Sequence, residues 1–228
     1  MYHYLDDKKF VKKIKSESSK LMQEFCHILK TDYDIGTNFY LVGSGAKNLI
    51  MQNESLPIDL DYNLEILRCK KINDCRYIKE CTRKAFNKVL NKRGLGNCQD
   101  STSSLTTKRF QLPTGNPTEF SIDVCIVKSD KSGNLFRLIH EKTGCTYFDQ
   151  YHWNIAPNSN KIKNKVEYIK SNRKWELVRS EYKNIKNKYL RCNDRNHPSF
   201  VCYLEAINNV YNQLNMPMNN SGWRSIWS

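Results

Sequence analysis

A nine-residue segment from Ile58 to Ile66 alternates apolar and polar side chains without a break. A period of two is typical of a β-strand with one buried face, so a strand is predicted here. The polar face carries Asp59 and Asp61, two carboxylates that project from the same side of the strand and can converge on a hard cation. Acidic residues on the solvent face of a half-exposed strand are common, so this pair alone does not identify a metal site.

The segments around this strand predict an α/β unit of about 130 residues in which helices and strands follow one another. The predicted helices are Asp6 to Leu29, Ala46 to Gln52 and Cys75 to Leu90. The other predicted strands are Asn38 to Val42, Ser104 to Leu112 and Glu119 to Val127.

From Lys161 onward the apolar residues keep a spacing of three and four, which is typical of helices. The pattern predicts one long helix, or two helices broken near Ser171-Asn172, then a further helix from Phe200 to Leu214 and an irregular tail over 217–228. We therefore expect two domains, an α/β domain over residues 1–150 and a helical C-terminal lobe over residues 151–228.

The chain has a formal net charge of +14 and a sequence pI of about 9.3. Twelve Lys and Arg against four Asp and Glu lie between Lys161 and Arg195, a local excess of +8. This run is either the solvated face of a helix or a surface that attracts phosphate groups, and charge alone does not decide between them.

We expect a cytoplasmic protein without a membrane partner, since no stretch approaches 18 consecutive apolar residues and no apolar leader is visible. The nine cysteines then predict reduced, buried thiols. Cys192, His197 and Cys202 form the densest Cys/His group, but their spacing matches no compact zinc site.

A third carboxylate, Asp123, lies on the polar side of the alternating segment from Phe120 to Ile126. If the two strands are neighbours, three carboxylates meet at one edge of the sheet, where bound Mg²⁺ would relieve their mutual repulsion. Upstream, Gly43-Ser44 ends a short strand and opens a helix, a place where backbone N–H groups can hold phosphate oxygens. Together these features predict a site for a nucleoside triphosphate.

Val42-Gly43-Ser44, fourteen intervening residues and then Asp59-Leu60-Asp61-Tyr62 resemble the signature of the DNA polymerase beta-type nucleotidyltransferases. Asp123 completes the pattern, and the resemblance covers residues 36 to 127. It implies a nucleotidyltransferase-type mixed sheet flanked by helices, with the helical lobe following it.

The resemblance also implies an activity, the transfer of a nucleoside monophosphate from a triphosphate to a hydroxyl acceptor with release of pyrophosphate. Asp59 and Asp61 would hold two Mg²⁺ ions, with Mn²⁺ as the alternative metal, and Asp123 would complete the site nearest the acceptor. The residues implied for the triphosphate are Gly43, Ser44, Gly45 and Lys47. Lys108 and Arg109, predicted on the strand before that of Asp123, would point to opposite faces, so that at most one reaches the site.

The helical lobe is loosely similar to that of the oligoadenylate synthetase and poly(A) polymerase branches. That likeness implies Lys183 or Lys186 as a contact to the triphosphate, and Ser199 and Phe200 as contacts to the nucleotide. The lysines could equally be plain surface charges, and Phe200 could be a core residue.

Other functions stay open at this stage. A metal-dependent nuclease also needs clustered carboxylates, a basic RNA-binding protein would explain the charge, and an inactive scaffold would keep the fold alone. The acceptor is equally open among a small molecule such as an antibiotic, a nucleotide, an RNA end and a protein side chain.

Overall fold

A computed structural model describes residues 1–156, 162–194 and 198–215 of the chain. The chain divides into two compact units, Met1–Asn158 and Ser159–Ser228. The strands are β1 (Tyr2–Tyr4), β2 (Gly36–Leu41), β3 (Met51–Asn53), β4 (Ile58–Arg68), β5 (Gln99–Asp100), β6 (Leu105–Thr106), β7 (Phe120–Ser129), β8 (Leu135–Glu141) and β9 (Gln150–Ile155). The helices are α1 (Lys8–Tyr33), α2 (Gly43–Lys47), α3 (Cys75–Lys92), α4 (Lys163–Ser171), α5 (Trp175–Arg191) and α6 (Ser199–Asn215).

The first unit is built on a seven-stranded mixed sheet. Five strands follow the order β2-β4-β7-β6-β5, while β8 pairs with the later part of β7 and β9 pairs with β8. The two central strands, β4 and β7, are parallel, and the other pairs in this sheet are antiparallel. The predicted fold class of a mixed sheet with flanking helices is confirmed.

The predicted alternation of β4 sets the position of the core. The alternating apolar side chains of β4, from Ile58 to Ile66, are buried and join those of β7, α1 and α3 in one cluster, in which Phe25 stacks on Phe86 with ring centroids 4.8 Å apart. Both helices begin where an aspartate side chain accepts a backbone hydrogen bond: Asp7 from Phe10 N and Asp74 from Tyr77 N.

Two predicted elements differ from the structure. The helix predicted from Ala46 to Gln52 is wrong, because α2 ends where Asn48 adopts a left-handed φ of 57° and donates its N–H to the carbonyl of Ser44. The strand predicted from Ser104 to Leu112 is interrupted after β6, where the Thr107 hydroxyl accepts the hydrogen bond from Ile122 N, and pairing resumes only in an isolated bridge between Phe110 and Phe120.

The second unit consists of α4, α5 and α6 in its described part. The predicted break near Ser171 is confirmed: α4 ends there, and Arg173 has a left-handed φ of 56° before α5 begins. Buried apolar side chains from the three helices include Ile169, Val178, Ile185, Ala206, Ile207 and Val210. The predicted tail over 217–228 lies outside the described residues.

All nine cysteines are free thiols. The prediction of buried thiols is wrong for Cys145 and Cys192, which are exposed, and right for Cys75, Cys81 and Cys202. His197 lies outside the described residues. Across the described part of the chain, no helix has the length and apolar character needed to cross a membrane.

Candidate active site

The three aspartates lie on one face of the two central strands. Asp61 of β4 is directly opposite Asp123 of β7 in the parallel register, and Asp59 is opposite Ser121. Because residues in register on neighbouring strands point the same way, Asp61 and Asp123 project side by side. The predicted position at an edge of the sheet is wrong, since β7 is bordered by β6 and β8 on its far side.

Burial makes this carboxylate group costly to ionise. Burial, and then the negative charges of Asp123 and Asp59, raise the pKa of Asp61 to about 6, while the Lys47 ammonium opposes the rise. Burial also raises the pKa of Asp123, against the effect of a hydrogen bond from the Thr106 hydroxyl. A cation placed among these groups would favour their ionised forms.

The donor set fits a hard divalent cation. Asp123 Oδ1 is buried and has no hydrogen-bond partner among the described residues, so it retains the capacity to coordinate. The Asp59 carboxylate accepts a hydrogen bond from the Ser121 hydroxyl. Within 1–156, 162–194 and 198–215, no group of three or more His, Cys, Asp or Glu side chains is arranged as a metal cluster.

The turn that begins at Gly43 lies directly against Asp61. Gly43 has a left-handed φ of 60°, and a Cβ at this position would be 2.4 Å from Asp61 Oδ2. The backbone N–H of Val42 donates to the carbonyl of Asp61 at 2.8 Å, which ties the start of the turn to β4. A side chain at position 43 would therefore displace the Asp61 carboxylate, and the turn brings the Gly43-Ser44-Gly45 segment beside the aspartates.

Lys47 also lies close to the aspartates. Its Nζ donates to the carbonyl of Gly43 at 3.3 Å, and its charge acts on Asp61. Four residues predicted for the triphosphate, Gly43, Ser44, Gly45 and Lys47, thus belong to one short helix, α2, next to Asp61.

A cavity of about 480 Å³ adjoins the aspartates on the side of β5 and β6. The prediction that at most one of Lys108 and Arg109 reaches the site is wrong, because the chain leaves the strand after Thr106 and both residues line this cavity. The full lining is Asp59, Gln99, Thr106, Thr107, Lys108, Arg109, Ser121 and Asp123. Sequence reasoning did not single out Gln99, Thr106, Thr107 or Ser121, whose positions depend on strand pairing.

The candidates from the helical lobe all lie in the second unit. Lys186 Nζ donates to Ser199 Oγ at 3.0 Å, so two of the four contact one another. Lys183 is exposed and Phe200 is half-buried. Their role in nucleotide binding remains a prediction.

A second polar cluster in the first unit involves α3, β5 and β8. His140 places Nδ1 3.0 Å from Asp100 Oδ2 and Nε2 2.9 Å from Asp149 Oδ2. Lys79, which is 1 % exposed, lies 2.9 Å from the other oxygen of Asp100. Asp100, His140 and Asp149 line one side of a cavity of about 560 Å³.

Comparison with solved structures confirms the predicted mixed sheet with flanking helices, so the predicted resemblance is confirmed at the level of the fold alone. CdnC of E. coli MS115-1, solved with ATP, matches with a TM-score of 0.53 and 15 % identity, over 89 % of this chain and 60 % of that chain. Vibrio cholerae DncV in a 3'-deoxy GTP bound form matches with a TM-score of 0.55 and 14 % identity, over 88 % of this chain and 52 % of that chain.

A further Vibrio cholerae DncV structure, described as a cyclic AMP-GMP synthase and a prokaryotic cGAS homolog, matches with a TM-score of 0.51 and 11 % identity. The match covers 80 % of this chain and 61 % of that chain. The chain thus spans between 52 % and 61 % of the length of these three structures. No protein-family model and no curated protein matches the sequence.

Proposed function

We propose that the protein is a metal-dependent nucleotidyltransferase that joins a nucleoside monophosphate, taken from a triphosphate, to a hydroxyl of a second nucleotide and releases pyrophosphate. The observation that carries the proposal is the placement of Asp61 opposite Asp123 with the Gly43 turn against the Asp61 carboxylate. Carboxylates for a cation and backbone N–H groups for phosphate then lie next to each other, as this chemistry requires.

Asp59, Asp61 and Asp123 would hold two Mg²⁺ ions, or Mn²⁺ ions. When bound, such ions activate the attacking hydroxyl and stabilise negative charge on the departing pyrophosphate. The chain's own contribution is to hold three carboxylates on rigid central strands and to keep the Asp61 carboxylate within contact of the Gly43 backbone.

The triphosphate would lie along α2. The first backbone N–H groups of a helix have no acceptor within the helix, so those of Ser44 and Gly45 can bind phosphate oxygens, with the Ser44 hydroxyl and the Lys47 ammonium adding to the site. In the second unit, Lys183 and Lys186 are proposed to contact phosphate, and Ser199 and Phe200 to contact the nucleoside.

The acceptor would occupy the cavity on the other side of Asp123. Lys108 and Arg109 give this cavity two cations, which suits an acceptor that carries phosphate. The description of one DncV structure as a cyclic AMP-GMP synthase supports the same choice, since that reaction uses one nucleotide as the acceptor of another.

The test is incubation of the purified protein with Mg²⁺ and each labelled ribonucleoside triphosphate, singly and in pairs, followed by measurement of pyrophosphate and mass analysis of the products. We expect a linked nucleotide product in at least one mixture, and its loss in Asp61→Asn and Asp123→Asn. Lys131→Met, which changes an exposed residue outside the cavity, is the control for handling and folding.

Several results would contradict the proposal. Absence of Mg²⁺-dependent binding of all four triphosphates, measured by calorimetry on folded protein, would exclude it. Cleavage of a labelled RNA or DNA strand without nucleotide transfer would identify a nuclease. Salt-sensitive RNA binding that is unchanged in Asp59→Ala and Asp61→Ala would identify an RNA-binding protein, which the basic run from Lys161 to Arg195 favours.

A further inference from the structure

Lys15 of α1 reaches the short helix that carries the predicted phosphate contacts. Its Nζ donates to the carbonyl of Gly45 at 2.6 Å and to Asn48 Oδ1 at 3.2 Å. Burial lowers the pKa of Lys15, which indicates that the amine is partly removed from water at this contact. These bonds join residues 30 and 33 positions apart in the sequence, so they connect α1 to the distant segment around α2.

The helix that Lys15 contacts, α2, is too short to be stable without contacts to other elements. It has five residues, little more than one turn, and an isolated helix of that length is unstable in water. The last carbonyls of a helix lack partners within it, and a lysine ammonium is a favourable donor to them. Lys15 supplies that donor at Gly45, while Asn48 ends the helix in a left-handed conformation.

The start of α2 is held from the opposite direction. Gly43 lies against the carboxylate of Asp61, and Val42 N bonds to the Asp61 carbonyl. Gly45 is itself enclosed, since a Cβ there would be 3.1 Å from the Leu41 side chain. The turn is therefore held by β4 at one end and by α1 at the other.

We propose that Lys15 is a positioning residue for nucleotidyl transfer, which fixes the Gly43–Lys47 helix relative to Asp61 so that the triphosphate binds in register with the aspartates. The inference rests on the proposed function, and it adds a residue of α1 that contacts neither the aspartates nor the proposed acceptor cavity. Lys15 acts through Gly45 and Asn48.

The test compares Lys15→Met with Lys15→Arg, which keeps a donor, and with Lys13→Met as the matched control. Lys13 lies on the same helix and bonds instead to the carbonyl and hydroxyl of Thr114. We expect Lys15→Met to weaken Mg²⁺-dependent triphosphate binding and to raise KM by about tenfold, because one hydrogen bond from a charged donor is lost. Lys15→Arg should recover most of this affinity, and Lys13→Met should leave it unchanged.

Two further measurements separate positioning from general stability. Hydrogen exchange at the amides of residues 43–48 should be faster in Lys15→Met than in Lys13→Met, while Mn²⁺ binding in the absence of nucleotide should be the same in both. Equal triphosphate affinity in Lys15→Met and the wild type would overturn the inference, and so would an equal loss in Lys15→Met and Lys13→Met.

Failure of the proposed function gives a different result. A wild-type protein that binds no triphosphate would overturn both proposals, and the exchange rates at residues 43–48 would then show whether Lys15 still anchors the turn. If the wild type transfers nucleotides and Lys15→Met transfers them equally well, only the role of Lys15 is overturned.

Discussion

The Asp61 carboxylate occupies the space in which a side chain at position 43 would begin. Asp61 Oδ2 is 2.4 Å from the place where a Cβ on Gly43 would lie, and Gly43 has a φ of 60°. The glycine therefore serves two needs at once, a left-handed backbone and close contact with a carboxylate proposed to bind metal.

Gly43→Ala tests this contact, with Gly94→Ala as the control. Gly94 has a similar φ of 71°, and a Cβ there would meet nothing within 4 Å, so its substitution introduces backbone strain alone, about 1–2 kcal/mol. We expect Gly43→Ala to lower the free energy of unfolding further than Gly94→Ala and to abolish Mn²⁺ binding. Equal destabilisation with normal Mn²⁺ binding would show that the Asp61 contact is unimportant.

Asp61→Asn should stabilise the metal-free protein at neutral pH. A carboxyl whose pKa is raised on folding favours the folded state at low pH, and this contribution is lost as the pH rises from 3.8 through about 6. Above that range the ionised group costs on the order of 3 kcal/mol, which the neutral amide avoids. Urea unfolding at pH 7.5 in EDTA measures the difference.

The control for this prediction is Asp59→Asn, which removes an exposed carboxylate from the same face and should change the stability less. Adding Mg²⁺ should raise the unfolding free energy of the wild type and not that of Asp61→Asn, because a ligand that binds only the folded state stabilises it. A less stable Asp61→Asn in EDTA would contradict the cost assigned to Asp61.

Lys108→Met combined with Arg109→Met should separate acceptor binding from donor binding. Both cations line the cavity beyond Asp123, so their loss should raise KM for the acceptor nucleotide by about tenfold while the donor affinity changes little. Steady-state rates with one nucleotide varied at a time give the two constants. The matched control is Lys70→Met with Lys71→Met, an adjacent exposed pair outside the cavity.

Asp149→Asn should reduce the loss of folding stability that the protein shows at acidic pH. The backbone N–H of Thr143 and then the His140 ring hold the pKa of Asp149 below its usual value. A lowered pKa gives stability that is present above the unfolded value, about 3.9, and is lost as the pH falls through the folded value. The wild type should therefore lose more stability below pH 4 than Asp149→Asn does.

Unfolding curves at pH 7, 5 and 3.5 measure this difference. Asp6→Asn is the control, since Asp6 is an exposed aspartate of the same unit. Asp6→Asn should be close to the wild type at every pH. The same acid response in the wild type and Asp149→Asn would contradict the prediction.

Local patterns predicted the elements whose sequence shows a clear periodicity of its own. The alternation around Asp59 and Asp61 predicted β4, and the three- and four-residue spacing predicted α1 and α3 to within a few residues at each end. The pairing of β4 with β7 was expected only on the condition that the strands are neighbours, and the structure shows that pairing.

Elements that depend on distant partners were predicted poorly. The short strand β3 pairs with β1, nearly fifty residues away, and nothing local distinguishes Met51–Asn53 from the end of a helix. The strands β8 and β9 were not predicted at all, and β6 stops where the Thr107 hydroxyl replaces a backbone acceptor.

The sequence by itself determined β4, α1 and α3 and the carboxylates of the site, because periodicity and residue type are local properties of the chain. Only the tertiary structure decided that Asp61 lies opposite Asp123, that Gly43 lies against Asp61 and that Lys108 and Arg109 share a cavity with Asp59 and Asp123. It also brought Lys15 to Gly45. These relations depend on strand register and on contacts between distant segments, which form only when burial of the core brings those segments together.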